Sequence, residues 1–139
     1  MGETSTNGRT PALGQVRAAW ESLTPPRTWT ALTAALGGLA ESLCLIRWPD
    51  GDGSLIIDQA GAQAVLVQGT VLAGASIDAL TPGRPNAARE AAQALSGGRA
   101  FTVEDEAGAG VSTRRIARLY LPLDEAPPAI ACAVVRIDG

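Results

Sequence analysis

The run LYLPLDEAPPAIACAVVRIDG, Leu119 to Gly139, closes the chain. Two β-rich segments flank the acidic, proline-containing turn DEAPP at 124–128. Proline cannot donate to a strand ladder, and acidic residues favour turns, so the two segments read as a hairpin. The strands are expected over 113–122 and 129–137. A third strand, 100–105, precedes them across the glycine-containing loop EAGAGVS. Three strands joined by short loops form an antiparallel meander.

Upstream of the meander, PNAAREAAQAL (85–95) is the clearest helix. Pro85 suits a first turn, alanine carries the body, and SGG at 96–98 stops it. Further back the period changes to that of strands. LCLIRW (43–48) and SLIID (54–58) flank the turn PDGDG (49–53), which has hairpin chemistry. Between 59 and 84, glycines at 61, 69, 74 and 83 divide the chain into short helical stretches. At the N-terminal end, Leu13, Val16, Trp20 and Leu23 recur at spacings of three and four, which predicts an amphipathic helix over 12–23. TPPR at 24–27 ends it. A second helix follows, capped by Thr28 or Thr30, with Leu32, Ala35, Leu36 and Leu39 on one face.

The expected map is a disordered tail (1–11), an N-terminal helical extension (12–41) and a domain (42–139). The expected fold class is α+β: a five-stranded, mostly antiparallel sheet with helices on one face, plus the extension.

Composition narrows the function. Of 139 residues, 46% are apolar and 18% charged, which is globular. No apolar run reaches the ~20 residues of a membrane span, and no basic-then-apolar signal segment opens the chain. Gly2 and Thr6 fit a myristoylation pattern, but so short a pattern carries little weight. A cytoplasmic location is the expectation. The net charge of −3 argues against nucleic acid as a partner. The basic run STRRIAR (112–118) reads as a solvated strand face. The chain has no histidine, which removes Ser-His-Asp and Cys-His catalysis and most zinc sites.

Other motifs reduce to structure. DGDGSLIID (Asp50–Asp58) places acids as a calcium loop does, but Leu55 and Gly61 stand where that frame wants Gly and Glu, so a hairpin turn is expected and no metal. EDE (104–106) reads as a solvated turn, not a catalytic carboxylate pair. GRAF and GAGVS lack the lysine and context of a phosphate loop.

Several segments resemble PAS domains. DGSLIIDQAG (52–61) is similar to the opening hairpin and the small helix after it. LAGASIDALTP (72–82) is similar to the segment before the long helix. ALSGGRAFTVEDE (94–106) resembles the helix-end, glycine, strand sequence, and RLYLPLDEAPPAIACAVVRID (118–138) the final hairpin. The resemblance covers about 42–138. The N-terminal helices, with AW and PPR, are similar to those of short stand-alone bacterial PAS-like proteins.

The resemblance implies that the last strand lies at the centre of the sheet, beside the first, so that the chain can stop there. No effector domain is fused in this expectation, and output passes through a partner. It implies Arg47, Arg118 and Arg136 on the outer face of three adjacent strands, with Ile116, Tyr120, Ile130 and Val134 between them. If these arginines point away from the core, Cys44 and Cys132 fall on opposite faces and form no disulfide. A light-sensing flavin adduct is not expected, because Cys44 lacks its motif. An inner pocket would be lined by Val65, Leu66, Leu72, Ile77, Leu80, Phe101, Val103 and Leu119. These residues either fill the core or hold a small apolar ligand; no cofactor is expected. The outer surface, formed by Leu13, Val16, Trp20 and Leu23 with Arg47, Arg118, Tyr120 and Arg136, is either covered by the chain's own helix or used for a homodimer or partner.

The expected function is therefore a sensory or regulatory module acting through contact with itself and an unknown signalling protein. No catalytic residue is expected. The alternatives are a small enzyme using arginine and carboxylates near 59–84, or a roadblock-like or GAF-like scaffold. A roadblock domain would end on a helix, and this chain ends on a strand.

Overall fold

A computed structural model of the chain describes residues 11–48, 55–82, 84–107 and 114–137. The expected tail up to residue 10, the turn at 49–53 and most of the loop before residue 114 lie outside the described residues.

Helix α1 spans Pro11–Ser22 and α2 spans Trp29–Leu36. Thr28 is the N-cap of α2: its Oγ accepts from the Ala31 N–H at 3.1 Å, satisfying one of the donors a helix start leaves open. A 3₁₀ turn, Gly37–Ser42, leads into β1, Leu43–Arg47. Strand β2 is Ile56–Ala60, followed by the short helix α3, Ala62–Gln68. The backbone between β2 and α3 passes so near Glu41 that a Cβ on Gly61 would lie 2.2 Å from the Glu41 carbonyl oxygen. Only glycine fits there. A 3₁₀ turn (Ile77–Leu80) and α4 (Asn86–Gly97) follow, then β3 (Phe101–Ala107), β4 (Arg114–Leu123) and β5 (Ala129–Arg136). Helix α4 buries Ala87, Ala91 and Ala94, and this small-residue face lets it lie close to the sheet.

The five strands form one antiparallel sheet in the order β2-β1-β5-β4-β3. The last strand is thus the central one, between β1 and β4. Its residues 129–135 are all buried, which explains its unbroken apolar run.

Each face of the sheet carries its own core. One lies under α3, the Ile77–Leu80 turn and α4, and includes Cys44, Ile46, Ile116, Tyr120, Ile130, Cys132 and Val134. The other lies under α1 and α2, and includes Leu43, Leu45, Ala117, Leu119, Leu121 and the alanines of β5. Leu13, Val16 and Trp20 are buried in this second core, and Leu23 packs against it. Burying such side chains contributes roughly 1.5–3 kcal/mol each. The exposed Arg17–Glu21 pair on α1 adds far less. The helical extension therefore packs on its own sheet.

The acidic turn after β4 fastens this extension. Asp124 accepts the Arg27 N–H at 2.8 Å and returns its own N–H to the Arg27 carbonyl at 2.7 Å. Glu125 accepts the Trp29 N–H and a 2.9 Å bond from Arg47. Trp20 Nε1 donates to the Pro122 carbonyl at 2.8 Å, while the Arg27 guanidinium lies 4.4 Å over the Trp20 ring.

The face assignments correct the sequence reading. Arg118, Tyr120, Ile116, Ile130 and Val134 lie on the α3/α4 side, not the outer side, and Arg136 follows the same parity. Leu119 lies on the α1/α2 side, not in the inner pocket. Arg47 alone of the three arginines faces as expected, and pairs with Asp58 and Glu125. Alternation along a strand fixes which residues share a face, but not which face is inner. Cys44 and Cys132 consequently share a face and are direct cross-strand partners. Both thiols are free.

Candidate functional site

The most distinctive arrangement is a buried polar cluster on the α3/α4 side of the sheet. Its centre is Arg118 on β4, whose side chain has no solvent exposure. Burying a guanidinium is tolerated only when carboxylates and hydrogen bonds compensate it. Glu90 on α4 does most of this. Arg118 Nε and Nη2 donate to its Oε1 at 3.1 and 3.0 Å, and Nη2 reaches Oε2 at 3.1 Å. The Tyr120 hydroxyl donates to the same Oε1 at 2.6 Å and accepts from Arg118 Nε at 3.1 Å. On the other side, Arg118 Nη2 donates to Asp105 Oδ2 at 3.1 Å, and Arg84 approaches Asp105 at 3.0 and 3.4 Å.

Two guanidiniums and two carboxylates make this cluster neutral. It joins α4, β3, β4 and the segment before α4. Each member sits where its element puts it. Phe101, Val103 and Asp105 alternate on one face of β3, so Asp105 reaches Arg118 and Arg84. Glu90 lies within the Ala87–Ala91–Ala94 stripe of α4, so it descends onto the sheet.

Burial pushes the Asp105 carboxyl up, but hydrogen bonds from Arg84, the Glu106 N–H and Arg118 outweigh it and hold the group below its usual range. Desolvation pulls Arg118 down, but Tyr120 and Glu90 raise it on balance and keep it charged. Burial pushes the Tyr120 phenol up, and Cys132 and Glu90 add to this. Burial likewise raises Cys132, and takes Cys44 up to about 12. The phenol and both thiols are thus held in their neutral, unreactive forms at neutral pH. Two buried side-chain atoms have no partner among the described residues: Arg118 Nη1 and Gln68 Oε1. Gln68, at the end of α3, spends its amide protons on the carbonyls of Ala79 and Leu80.

No family model and no curated protein matches the chain. Two solved structures are similar in fold. A domain of an HTR-like protein from Haloarcula marismortui ATCC 43049 matches with a TM-score of 0.52 and 16% identity, over 69% of this chain and 96% of that one. The PAS domain from Bordetella pertussis BvgS matches with a TM-score of 0.46 and 13% identity, over 94% of this chain and 89% of that one. The fold is PAS-like: the last strand is central, beside the first, as the resemblance of the sequence implies. At these identities the likeness concerns the backbone alone.

Within this PAS-like domain, the residues expected to line a pocket divide. Leu72, Ile77 and Leu80 are buried in the α3/α4 core, with Val65, Phe101 and Val103 packed against it. Leu119 is on the far side of the sheet. Leu66 is 69% exposed and, with Arg114 and Arg136, lines an open cleft at the end of α3. The residues expected to form a contact surface divide too. Leu13, Val16 and Trp20 are buried within the chain, Arg118 and Tyr120 are buried on the opposite face, and Arg47 and Arg136 stay partly accessible.

Two sequence readings change. The EDE run is not a turn: Glu104, Asp105 and Glu106 lie within β3, and Asp105 faces inward. STRRIAR is not wholly solvated, because Arg118 is its buried end. Sequence reasoning also passed over Glu90. Its signal was legible: one acid in the alanine stripe of a helix that must cover a sheet needs a cationic partner.

Proposed function

We propose that this chain is a sensory or regulatory module that works by protein–protein contact, as a homodimer and toward a signalling protein, in the cytoplasm and without catalysis. The observation that carries this reading is the buried Arg118–Glu90–Tyr120–Asp105 cluster within a PAS-like fold. It commits the reactive side-chain types of the interior to structure: the carboxylates are paired, and the phenol and thiols are held protonated. That leaves the helices and strand edges as the working surfaces. No helix among the described residues is long and apolar enough to cross a membrane.

A second reading adds a small ligand beneath α3 and α4. The unpartnered Arg118 Nη1 and Gln68 Oε1 favour it. Buried polar atoms are normally satisfied, and a small molecule or a water is one way to satisfy them. These atoms favour a ligand with a polar end over the wholly apolar one expected from sequence.

Mass measurement of the purified protein under native and then denaturing conditions tests both readings. A dimer with no additional mass supports the contact module. Additional mass that leaves on denaturation supports the ligand-binding form and gives the ligand's weight. A monomer with no additional mass overturns the homodimer.

A further inference from the structure

One row of side chains crosses the whole sheet on its α3/α4 face. Ala60 on β2 pairs with Cys44 on β1, Cys44 with Cys132 on β5, Cys132 with Tyr120 on β4, and Tyr120 with Phe101 on β3. The only two cysteines of the chain are therefore immediate neighbours at the centre of this row.

The backbone fixes their spacing. Trp48 donates its N–H to the Pro128 carbonyl at 3.3 Å, which marks residues 48 and 128 as a hydrogen-bonded position of the β1–β5 pair. Such positions recur every second residue in an antiparallel pair, so 46/130 and 44/132 are hydrogen-bonded positions too. Directly opposed Cα atoms at such positions lie ~5.5 Å apart. A disulfide requires a Cα separation of ~4.4–6.8 Å and a Cβ separation of ~3.5–4.5 Å; a hydrogen-bonded position meets the first, and its Cβ spacing of ~5.5 Å is closed by a local shift of the two strands. The two side chains also project to the same side of the sheet.

Access comes through local opening. Both thiols are fully buried, and burial holds them protonated, so a closed molecule reacts slowly. The helix packed over β1 and β5, α3, is only seven residues long, and so short a helix has little stability of its own. Strand β2 is a five-residue edge strand whose register with β1 breaks between Leu45 and Ile46, next to Cys44. Segments built this way open more readily than the rest of a domain.

We propose that Cys44 and Cys132 form a redox modification site, closed to an intramolecular disulfide by a peroxide-class oxidant. The first thiolate attacks the peroxide O–O bond, becoming a sulfenic acid and releasing one water. The second thiol attacks that sulfur, the S–S bond forms and a second water leaves. Two thiols and one hydrogen peroxide give one disulfide and two waters, and the two electrons lost by sulfur reduce the peroxide.

The test is exposure of the folded, fully reduced chain to hydrogen peroxide, followed by denaturation, alkylation and intact-mass measurement. The expected product has lost two hydrogen atoms, takes up no alkylating agent and regains both thiols with a reductant. It also melts several degrees higher, because the bridge closes a long loop. Cys44→Ser and Cys132→Ser each abolish that product. Oxygen addition to single cysteines without hydrogen loss, bridging only between chains, or unchanged thiols after prolonged exposure overturns the proposal. If a variant fails to fold, peptide mapping of the oxidised parent chain still identifies a 44–132 bridge or rules it out.

Discussion

The Tyr120 hydroxyl and Glu90 Oε1 meet at 2.6 Å, joining the sheet to the helix that covers it. The same carboxylate carries the main charge partnership of Arg118. Removing it leaves a guanidinium in the core with Asp105 as its remaining carboxylate. Breaking one side of a buried pair costs ~3–5 kcal/mol. Glu90→Ala is expected to lower stability by about that amount in chemical denaturation. The double variant Glu90→Leu with Arg118→Met is expected to lose less than Glu90→Ala alone, because it removes both charges together. A larger loss in the double variant would contradict the partnership.

Tyr120→Phe isolates the hydroxyl. Arg118 and Glu90 still satisfy one another, so the expected loss is about 1–2 kcal/mol. It should appear as a lower denaturation midpoint with an unchanged slope. A loss as large as that of Glu90→Ala would mean that the phenol, not the ion pair, anchors α4.

Leu119 and Leu66 distinguish the structure from the sequence-based pocket. Leu119 is buried under α1 and α2, so Leu119→Ala is expected to cost about 2–5 kcal/mol. Leu66 is largely exposed, and Leu66→Ala is expected to stay within about 0.5 kcal/mol of the parent. A loss at Leu66 as large as that at Leu119 would contradict its exposure.

Stability should fall at both ends of the pH range. The folded-state pKa of Asp105 lies below its ordinary value of 3.8, so its contribution is present above that value and is lost as pH falls through the lower folded pKa. Asp105→Asn should therefore be less stable at neutral pH and flatten the acid limb. Cys44 is shifted the other way, from 9.0 to about 12. The folded state then holds its proton more tightly, so stability is full below pH 9.0 and declines as pH rises toward about 12. Denaturation midpoints across pH check both limbs, and Cys44→Ala should shallow the alkaline one.

Trp20 ties the helical extension to the end of β4. Trp20→Ala removes its buried ring and the bond to the Pro122 carbonyl, and is expected to cost about 3–5 kcal/mol. Limited proteolysis should then cut between α1 and α2 faster than in the parent chain.

By itself the sequence determined the elements and their order. Apolar spacing located α1 and α2, alanine and glycine bounded α4, and the 119–137 run identified the closing hairpin. These signals are local, set by chain stiffness, capping and side-chain period within a few residues. The unbroken apolar stretch of β5 even carried the sign of a central strand. Only the tertiary structure decided which side of each strand faces which core. The resemblance implied an outward Arg118, and an isolated guanidinium cannot be buried cheaply. It is not isolated: Glu90 stands 28 positions earlier on a helix folded over it. The cysteine pair was hidden for the same reason, since its alignment depends on the facing assigned to those arginines. Face and partnership are long-range properties, fixed when strands from the two ends of the chain come together, and no local period contains them.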